Sequence, residues 1–293
     1  MLDKPLARPG ATLRSLFEDD TVAMPGVYSA ITARVARRCG AKALYLSGAG
    51  VTNSLLAVPD VALVTLNEMA QQASYVCAAA PVPVISDADT GFGEAWNVAR
   101  TVREMERAGL AGIHLEDQVS PKRCGHLEGK SVIEPAAMAA KIRAAVDSKV
   151  DDSFLIVART DARGVEGLDR ALDRARLYVD SGADMVFPEG LESEAEFEAF
   201  RAAVPSPLLA NMTEFGKTPL IPVTRFRDMG YQMVIFPMTA FRVMLKAVEE
   251  CYAELLSSGT QADLMDRMRT RKELYDVLGY AHYEALDRQW SGS

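Results

Sequence analysis

The 293-residue sequence has few cysteines, no long apolar run and no cluster of basic residues. Its four cysteines form no Cys-x-x-Cys pair, which excludes a regular disulfide framework and is typical of a reducing compartment. The longest apolar stretches, such as Ala73–Ile85, are shorter than the roughly 20 residues of a membrane helix. Residues 1–20 contain no apolar segment that resembles the core of a signal peptide. We therefore expect a soluble, cytoplasmic protein that does not bind membranes.

Positive charge is also scarce. Lys and Arg together number 32 against 40 Asp and Glu, which gives a formal net charge of −8. A chain without a basic patch lacks the surface that neutralises a phosphate backbone, so nucleic-acid binding is not expected. Hydrophobic residues make up 49% and charged residues 25% of the chain, a composition that is typical of folded globular proteins.

Short apolar runs alternate with amphipathic stretches along the whole chain. Each run is continuous enough to be buried on both faces, as parallel strands are. The stretches between them have helical spacing; Val98, Val102 and Met105, for example, share one face of Ala95–Ala108. Eight strands, each followed by a helix, predict an α/β fold with a single (β/α)8 TIM-type barrel. A doubly wound open sheet is the alternative, but no GxGxxG motif follows any strand. The predicted strands are Val22–Val27, Ala43–Leu46, Val82–Ser86, Gly112–Leu115, Phe154–Ala158, Met185–Phe187, Leu208–Ala210 and Met233–Phe236.

The chain continues for about forty residues beyond the last barrel unit. We assign residues 1–255 to the barrel and residues 256–293 to a helical extension. Within the extension, Asp263–Leu278 has the apolar spacing of one helix, which needs a surface to cover it. Two explanations stay open: the helix packs on its own barrel, or it docks on or exchanges with a neighbouring subunit.

Polar residues cluster where the predicted strands end. In a barrel the carboxyl ends of the strands meet at one mouth, where catalytic residues lie. Helix capping explains one such polar end but not six of them. Asp87 and Asp89 alternate along strand three, so we expect both carboxylates on one face, beside Glu116 of strand four. Because three carboxylates repel one another, they require a cation or protons, and an all-oxygen ligand set favours Mg²⁺ or Mn²⁺ over Zn²⁺.

The loop after strand four has the sequence KRCGH at positions 122–126. Its basic residues lower the pKa of a neighbouring thiol, which makes Cys124 a candidate for proton transfer. Gly125 lets the backbone approach a ligand closely. Arg159, at the end of strand five, is suited to bind a carboxylate with two parallel hydrogen bonds. The residues alone therefore predict a divalent-metal enzyme that acts on a small polycarboxylate.

Four motifs resemble one known family. KRCGH at 122–126, DADTGFG at 87–93, HLEDQ at 114–118 and NMTEFGKTP at 211–219 are similar to those of 2-methylisocitrate lyases. These enzymes belong to the isocitrate lyase and phosphoenolpyruvate mutase superfamily. The resemblance implies a Mg²⁺-dependent retro-Claisen cleavage of 2-methylisocitrate to pyruvate and succinate, in the methylcitrate route of propionate catabolism. It also implies a homotetramer whose paired subunits exchange their C-terminal helices.

The resemblance further implies a role for each matching residue. Asp87 would lie next to the metal, while Asp89 and Glu116 would hold its waters. Cys124 would be the acid that protonates the departing succinate carbanion, assisted by Arg159 as a carboxylate clamp. Tyr45 and Asp60 are alternatives for removing the hydroxyl proton. The implied substrate contacts are Ser47, Gly48, Ala49, Lys122, Gly125, His126, Arg159, Glu189, Asn211, Thr213 and Arg242.

The sequence departs from the family pattern in two places. Ala49 stands where many relatives have the third residue of Ser-Gly-Gly-Gly, and Ala57 replaces a glycine before Pro-Asp. On strand eight, Ile235 and Pro237 match positions that leave room for the methyl group of the substrate. Because Ala49 adds a methyl group on the opposite wall of the pocket, two alternative activities remain: cleavage of another 2-alkylmalate such as 2,3-dimethylmalate by a lyase, and hydrolytic cleavage of oxaloacetate by an oxaloacetate-cleaving hydrolase. A non-catalytic metal-binding scaffold is a third alternative, which an intact KRCGH loop argues against.

Overall fold

The computed structural model describes residues 5–123, 125 and 129–292. Cys124 and His126, two of the predicted site residues, lie outside these residues. The eight strands are β1 Val22–Val27, β2 Leu44–Leu46, β3 Val84–Asp87, β4 Gly112–Glu116, β5 Leu155–Thr160, β6 Met185–Pro188, β7 Leu209–Asn211 and β8 Met233–Phe236. The helices are α1 Pro9–Asp19, α2 Ala30–Arg38, α3 Gly48–Leu56, α4 Leu66–Ala79, α5 Ala95–Arg107, α6 Pro135–Asp147, α7 Arg163–Glu166, α8 Leu168–Asp180, α9 Glu194–Ala203, α10 Val223–Asp228, α11 Thr239–Ser258, α12 Arg271–Leu278 and α13 Tyr280–Ser291, with a 3₁₀ helix at Ala262–Arg267.

All eight strands are parallel and form one sheet in the order β6-β5-β4-β3-β2-β1-β8-β7. A further parallel bridge between Val186 and Leu208 joins the two ends of this order and closes the sheet. The prediction of a (β/α)8 barrel is confirmed. Each predicted strand is present, with ends that differ by at most two residues.

The strands bury apolar side chains on both faces, as their sequences predict. In β5, Leu155 and Val157 point into the barrel interior, whereas Ile156 and Ala158 pack against the surrounding helices. Inward-facing apolar side chains, such as Met24, Ile85 and Met233, pack together in the barrel interior. The inward series of β5 ends at Arg159, so the pleat that buries Leu155 and Val157 also aims Arg159 at the mouth.

The expectation of one helix over Asp263–Leu278 is wrong. The 3₁₀ helix ends at Arg267, and α12 begins anew at Arg271. The physical reason is a capping box: the Thr270 side chain accepts a hydrogen bond from the Glu273 amide, and the Glu273 carboxylate accepts one from the Thr270 amide. Such a box starts a helix, so it interrupts the apolar spacing that the sequence suggested.

Helix α12 packs against α2 of the same chain. Arg34 and Arg38 donate hydrogen bonds to the carbonyls of Leu278 and Asp276, at 2.6 and 2.7 Å. These cations satisfy the last carbonyls of α12 and interact favourably with the negative end of its dipole. Helix α11 runs without a break through the boundary expected at residue 255. In the part of the chain that the structure describes, every helix is too short or too polar to cross a bilayer.

Candidate active site

A cavity of about 210 Å³ lies at the carboxyl ends of the strands. It is at the mouth that the barrel prediction indicated, because its lining includes residues at the carboxyl ends of strands, such as Asp87 of β3, Arg159 of β5 and Asn211 of β7. The predicted site residues that line it are Tyr45, Ser47, Ala49, Asp60, Asp87, Lys122, Gly125, Arg159, Glu189, Asn211, Thr213 and Arg242. The structure thus brings together most of the residues that the sequence singled out from different strands.

Three further residues line the cavity and were not predicted: Asn53, Phe187 and Met238. Phe187 follows Met185 on the inward face of β6, so strand alternation gave a signal for it. Asn53 lies one helical turn after Ala49 and therefore shares its face of α3. On β8, Pro237 lines the cavity, whereas Ile235 is fully buried among the interior side chains beneath it.

Gly48, Asp89 and Glu116 lie next to the cavity but do not line it. Gly48 backs Asp87 so closely that a Cβ atom at this position would lie 2.4 Å from Asp87 Oδ2. Ser47 is the N-cap of α3, and its hydroxyl accepts a hydrogen bond from the Gly50 amide at 3.1 Å. The segment therefore presents a helix amino end to the cavity, an arrangement that favours anions.

The expectation that Asp87 and Asp89 share one face of a strand is wrong. Strand β3 ends at Asp87, and Asp89 follows with a φ of +47°, in the left-handed region. The two residues remain connected, because the Asp89 amide donates to Asp87 Oδ1 at 2.9 Å. Lys122 forms ion pairs with Asp89 and Asp60: its Nζ lies 2.9 Å from Asp89 Oδ1 and 2.6 Å from Asp60 Oδ1.

The pKa values of Asp87 and Asp89 are shifted in opposite directions because the two carboxyl groups have different neighbours. Burial alone would raise the pKa of Asp87, but nearby positive charge, including that of Lys122 and Arg159, holds it below its usual range. Burial raises the pKa of Asp89 to about 7, because the positive charge of Lys122 offsets only part of the combined effect of burial and of the negative charges of Asp87 and Asp60. Burial also raises the pKa of Glu116 well above its usual range. This mouth therefore holds more carboxylate than its own cations neutralise.

Tyr45 and His114 form a buried pair beneath the cavity. The Tyr45 hydroxyl lies 2.8 Å from His114 Nε2, which is 3.6 Å from Asp87 Oδ1. Burial lowers the pKa of His114 to about 4 and raises that of Tyr45 well above 10, so both side chains are neutral at pH 7. Tyr45 consequently faces the cavity as a protonated phenol.

Arg159 is 7% exposed and lies among three acidic side chains. Its Nε and Nη2 donate to the two oxygens of Asp161, at 2.9 and 3.2 Å. Its Nη1 lies 3.2 Å from Glu116 Oε2, and its Nη2 lies 3.6 Å from Glu189 Oε2. The ring of Phe187 lies beneath the guanidinium, 5.2 Å from centroid to Cζ. These contacts orient a cation toward the cavity, as carboxylate recognition requires.

The buried carboxylate oxygens at the mouth have few partners within the described residues. Asp89 Oδ1 forms an ion pair with Lys122 and Glu116 Oε2 forms one with Arg159, whereas Glu116 Oε1 has no hydrogen-bond donor there. Buried oxygens of this kind are usually bonded to protein, water or an ion. Among the residues that the structure describes, no three His, Cys, Asp or Glu side chains lie close enough together to hold a metal ion directly. Direct ligation by all of Asp87, Asp89 and Glu116 is thus not supported, whereas a contact through water fits the unpaired Glu116 oxygen.

Comparison with known proteins identifies the family. The family model described as phosphoenolpyruvate phosphomutase matches residues 13–256. The chain is also 57% identical over 289 residues to 2-methylisocitrate lyase from Aeropyrum pernix, which covers 98% of this chain and 93% of that protein. The chain belongs to the 2-methylisocitrate lyase family of the phosphoenolpyruvate mutase/isocitrate lyase superfamily. The Escherichia coli 2-methylisocitrate lyase is 44% identical, with 95% of each chain covered. The resemblance inferred from the four motifs is confirmed.

Solved structures of two other superfamily enzymes share the fold. An oxaloacetate acetylhydrolase in complex with 3,3-difluorooxalacetate matches with a TM-score of 0.92 and 37% identity, over 98% of both chains. A 2,3-dimethylmalate lyase matches with a TM-score of 0.92 and 35% identity, over 97% of this chain and 96% of that chain. Both alternatives left open by the sequence are therefore less similar to this chain than the two 2-methylisocitrate lyases are.

Proposed function

We propose that this enzyme cleaves 2-methylisocitrate into pyruvate and succinate, with Mg²⁺ as its cofactor. The observation that carries the proposal is the cavity of about 210 Å³, which is lined by the cations Lys122 and Arg159 and by the carboxylates of Asp60 and Asp87. A small site with both signs of charge suits a tricarboxylate bound together with a divalent cation. The identity to curated 2-methylisocitrate lyases supports this substrate over a 2-alkylmalate or oxaloacetate.

The residues at the mouth fit a hydrated magnesium ion. Asp87 would hold the ion, and Asp89 and Glu116 would bind its waters; the buried Glu116 Oε1, which has no donor among the described residues, supports this arrangement. Mn²⁺ accepts the same oxygen ligands. When bound, the ion polarises the oxygens of the substrate half that becomes pyruvate.

The remaining steps are assigned to side chains of this chain. Arg159 and the amino end of α3 at Ser47–Ala49 bind carboxylate groups of the substrate. We favour Asp60 over Tyr45 for removing the hydroxyl proton, because a carboxylate accepts a proton that the protonated Tyr45 phenol cannot take. Tyr45 instead donates a hydrogen bond to the developing charge.

Cys124 is assigned as the acid that protonates the succinate carbanion. The supporting observation is that Lys122 and Gly125, on either side of it in the sequence, both line the cavity. Basic residues that neighbour a cysteine in the sequence, as in KRCGH, favour a thiol that exchanges its proton readily. His126, in the same loop, is assigned as a substrate contact. Glu189, Asn211, Thr213 and Arg242 complete the lining.

We also propose a cytoplasmic homotetramer whose subunits exchange the extension that follows residue 255. Exposed apolar side chains on the C-terminal helices, such as Leu256 and Trp290 at 83% and 77%, support a subunit contact there. The free thiols of Cys39, Cys77 and Cys251 are typical of a reducing compartment. Light scattering at several protein concentrations tests the assembly.

The catalytic proposal is tested with purified protein. The products are measured after addition of each substrate: pyruvate from 2-methylisocitrate or 2,3-dimethylmalate with a lactate dehydrogenase assay, glyoxylate from isocitrate, and acetate with oxalate from oxaloacetate. The substrates are compared in the order 2-methylisocitrate, isocitrate, 2,3-dimethylmalate and oxaloacetate. We expect the highest kcat/KM for 2-methylisocitrate, with activity lost on chelation and restored by Mg²⁺. A higher kcat/KM for either of the last two substrates would replace the proposed function by the corresponding alternative.

A further inference from the structure

Asp161 is a buried carboxylate behind Arg159 that does not line the cavity. It accepts two parallel hydrogen bonds from the Arg159 guanidinium, one from Nε and one from Nη2. Because a guanidinium is planar, a bidentate partner fixes the plane of the whole group. Asp161 therefore determines the direction in which Arg159 presents its remaining N–H groups to the cavity.

Lys130 binds the same carboxylate, at the oxygen that accepts from Arg159 Nη2. Its Nζ lies 2.9 Å from Asp161 Oδ1, its side chain is 5% exposed, and its Nζ also donates to the Gly125 carbonyl. Gly125 itself lies against the arginine: a Cβ atom at this position would come within 2.6 Å of Arg159 Nη2. Lys130 thus ties the backbone of the loop after β4 to the carboxylate that orients Arg159.

The backbone of Asp161 is held in place by the buried carboxylate of Asp117. Its amide donates to Asp117 Oδ1 at 2.8 Å, and Asp117 Oδ2 accepts from the hydroxyls of Thr160 and Tyr178, both at 2.8 Å. Asp117 is fully buried, so these bonds are shielded from competition with water. A fixed Asp161 can therefore transmit the position of Lys130 to Arg159.

We infer that Lys130 and Asp161 are positioning residues that couple the orientation of Arg159 to the position of the Gly125 backbone. This inference rests on the proposed function, because it takes Arg159 as the group that binds the substrate carboxylate. Both residues act through others, since neither lines the cavity. Displacing a positioning group by about 1 Å costs on the order of a hundredfold in rate, which is the size of effect we expect.

Single and double variants test the coupling by steady-state kinetics. Asp161→Asn should raise KM and the inhibition constant of succinate, and lower kcat/KM about a hundredfold, because Arg159 loses its charged bidentate partner. Lys130→Gln should lower kcat more than it raises KM, since Arg159 keeps that partner. Lys130→Arg should restore most of the turnover. The kcat/KM of the double variant should be no lower than that of Asp161→Asn alone, because both changes break the same connection from Lys130 through Asp161 to Arg159.

Asp184→Asn is the matched control. Asp184 also binds one arginine and one lysine, with Arg14 Nη2 at 2.7 Å and Lys149 Nζ at 3.4 Å. It precedes β6, at the amino ends of the strands and therefore opposite the cavity. We expect this variant to lower Tm and leave kcat/KM unchanged. If Asp161→Asn behaves in the same way, its role is structural and the inference is wrong.

Hydrogen exchange gives a readout that does not depend on activity. Peptides that cover residues 118–132 should exchange faster in Lys130→Gln than in the wild type, and at the wild-type rate in Asp184→Asn. A wild-type enzyme that leaves 2-methylisocitrate intact would refute the proposed function, while the exchange data would still test the coupling. Unchanged exchange in Lys130→Gln would overturn the coupling for any substrate.

Discussion

Replacing Gly48 by alanine should damage the catalytic site with little effect on the fold. Gly48 begins α3 and carries no positive φ, so its backbone accepts an alanine, which favours a helix by roughly 1 kcal/mol over glycine. The added Cβ, however, would lie 2.4 Å from Asp87 Oδ2 and 2.8 Å from its Cγ. Both residues are buried, so one of them has to move.

The required movement gives the expected magnitude. An ordinary carbon–oxygen contact is about 1 Å longer than the 2.4 Å available, so the Asp87 carboxylate would shift by about that distance. A shift of about 1 Å in a group that holds the reacting centre costs on the order of a hundredfold. We therefore expect kcat/KM to fall about a hundredfold and Mg²⁺ to bind more weakly, while Tm changes little.

Kinetics with a magnesium titration and thermal unfolding measure both effects. Gly50→Ala is the matched control, because a Cβ there would come no closer than 3.1 Å to Tyr28 Cβ and 3.2 Å to Ser47 Cβ, contacts that require a shift of only a few tenths of an ångström. Residue 49, between them, is already alanine and only lines the cavity. A Gly48→Ala enzyme with wild-type kcat/KM and wild-type magnesium affinity would show that the position of Asp87 is not critical.

Three further predictions concern single side chains. Cys124→Ser should lower kcat by at least about a hundredfold, which is the contribution of a positioned general acid, while succinate still binds in a calorimetric titration. A variant that keeps more than half of the wild-type turnover would exclude Cys124 as the acid. Asp87→Asn should weaken Mg²⁺ binding, measured calorimetrically with a product present, more than Asp89→Asn does, and equal, undiminished binding in both would remove this metal site. Asp60→Asn should lose more turnover than Tyr45→Phe in the same assay, and the reverse order would assign the base to Tyr45.

The barrel was predictable because its strands are short and continuously apolar. In β5 the residues that fill the interior and those that face the helices are both hydrophobic, a pattern typical of parallel strands. Strand alternation then aims Arg159 at the mouth without further information. The same reasoning did not extend to Asp89, because it assumed extended backbone at a residue whose φ is +47°.

Long-range contacts account for what the sequence could not predict at the site. Lys130 follows the KRCGH motif in a loop with no regular spacing, and nothing in the order of residues indicates that it binds Asp161. Met238 likewise lies beyond the end of β8, where the pleat no longer determines direction. Such contacts depend on how loops fold onto one another, which local patterns do not encode.

The bonds that Asp117 makes have a consequence for protein engineering. Helix α8 supplies the Tyr178 hydroxyl and, 3.5 Å from the Asp117 carboxylate, the Nη1 of Arg174. The outer helices of a barrel are commonly treated as a scaffold that varies independently of the catalytic loops. In this enzyme the fifth βα unit is not an exchangeable module, because its helix and its strand end are joined through a residue of the fourth. Transplanting this mouth onto another barrel would have to carry α8 together with β4 and β5.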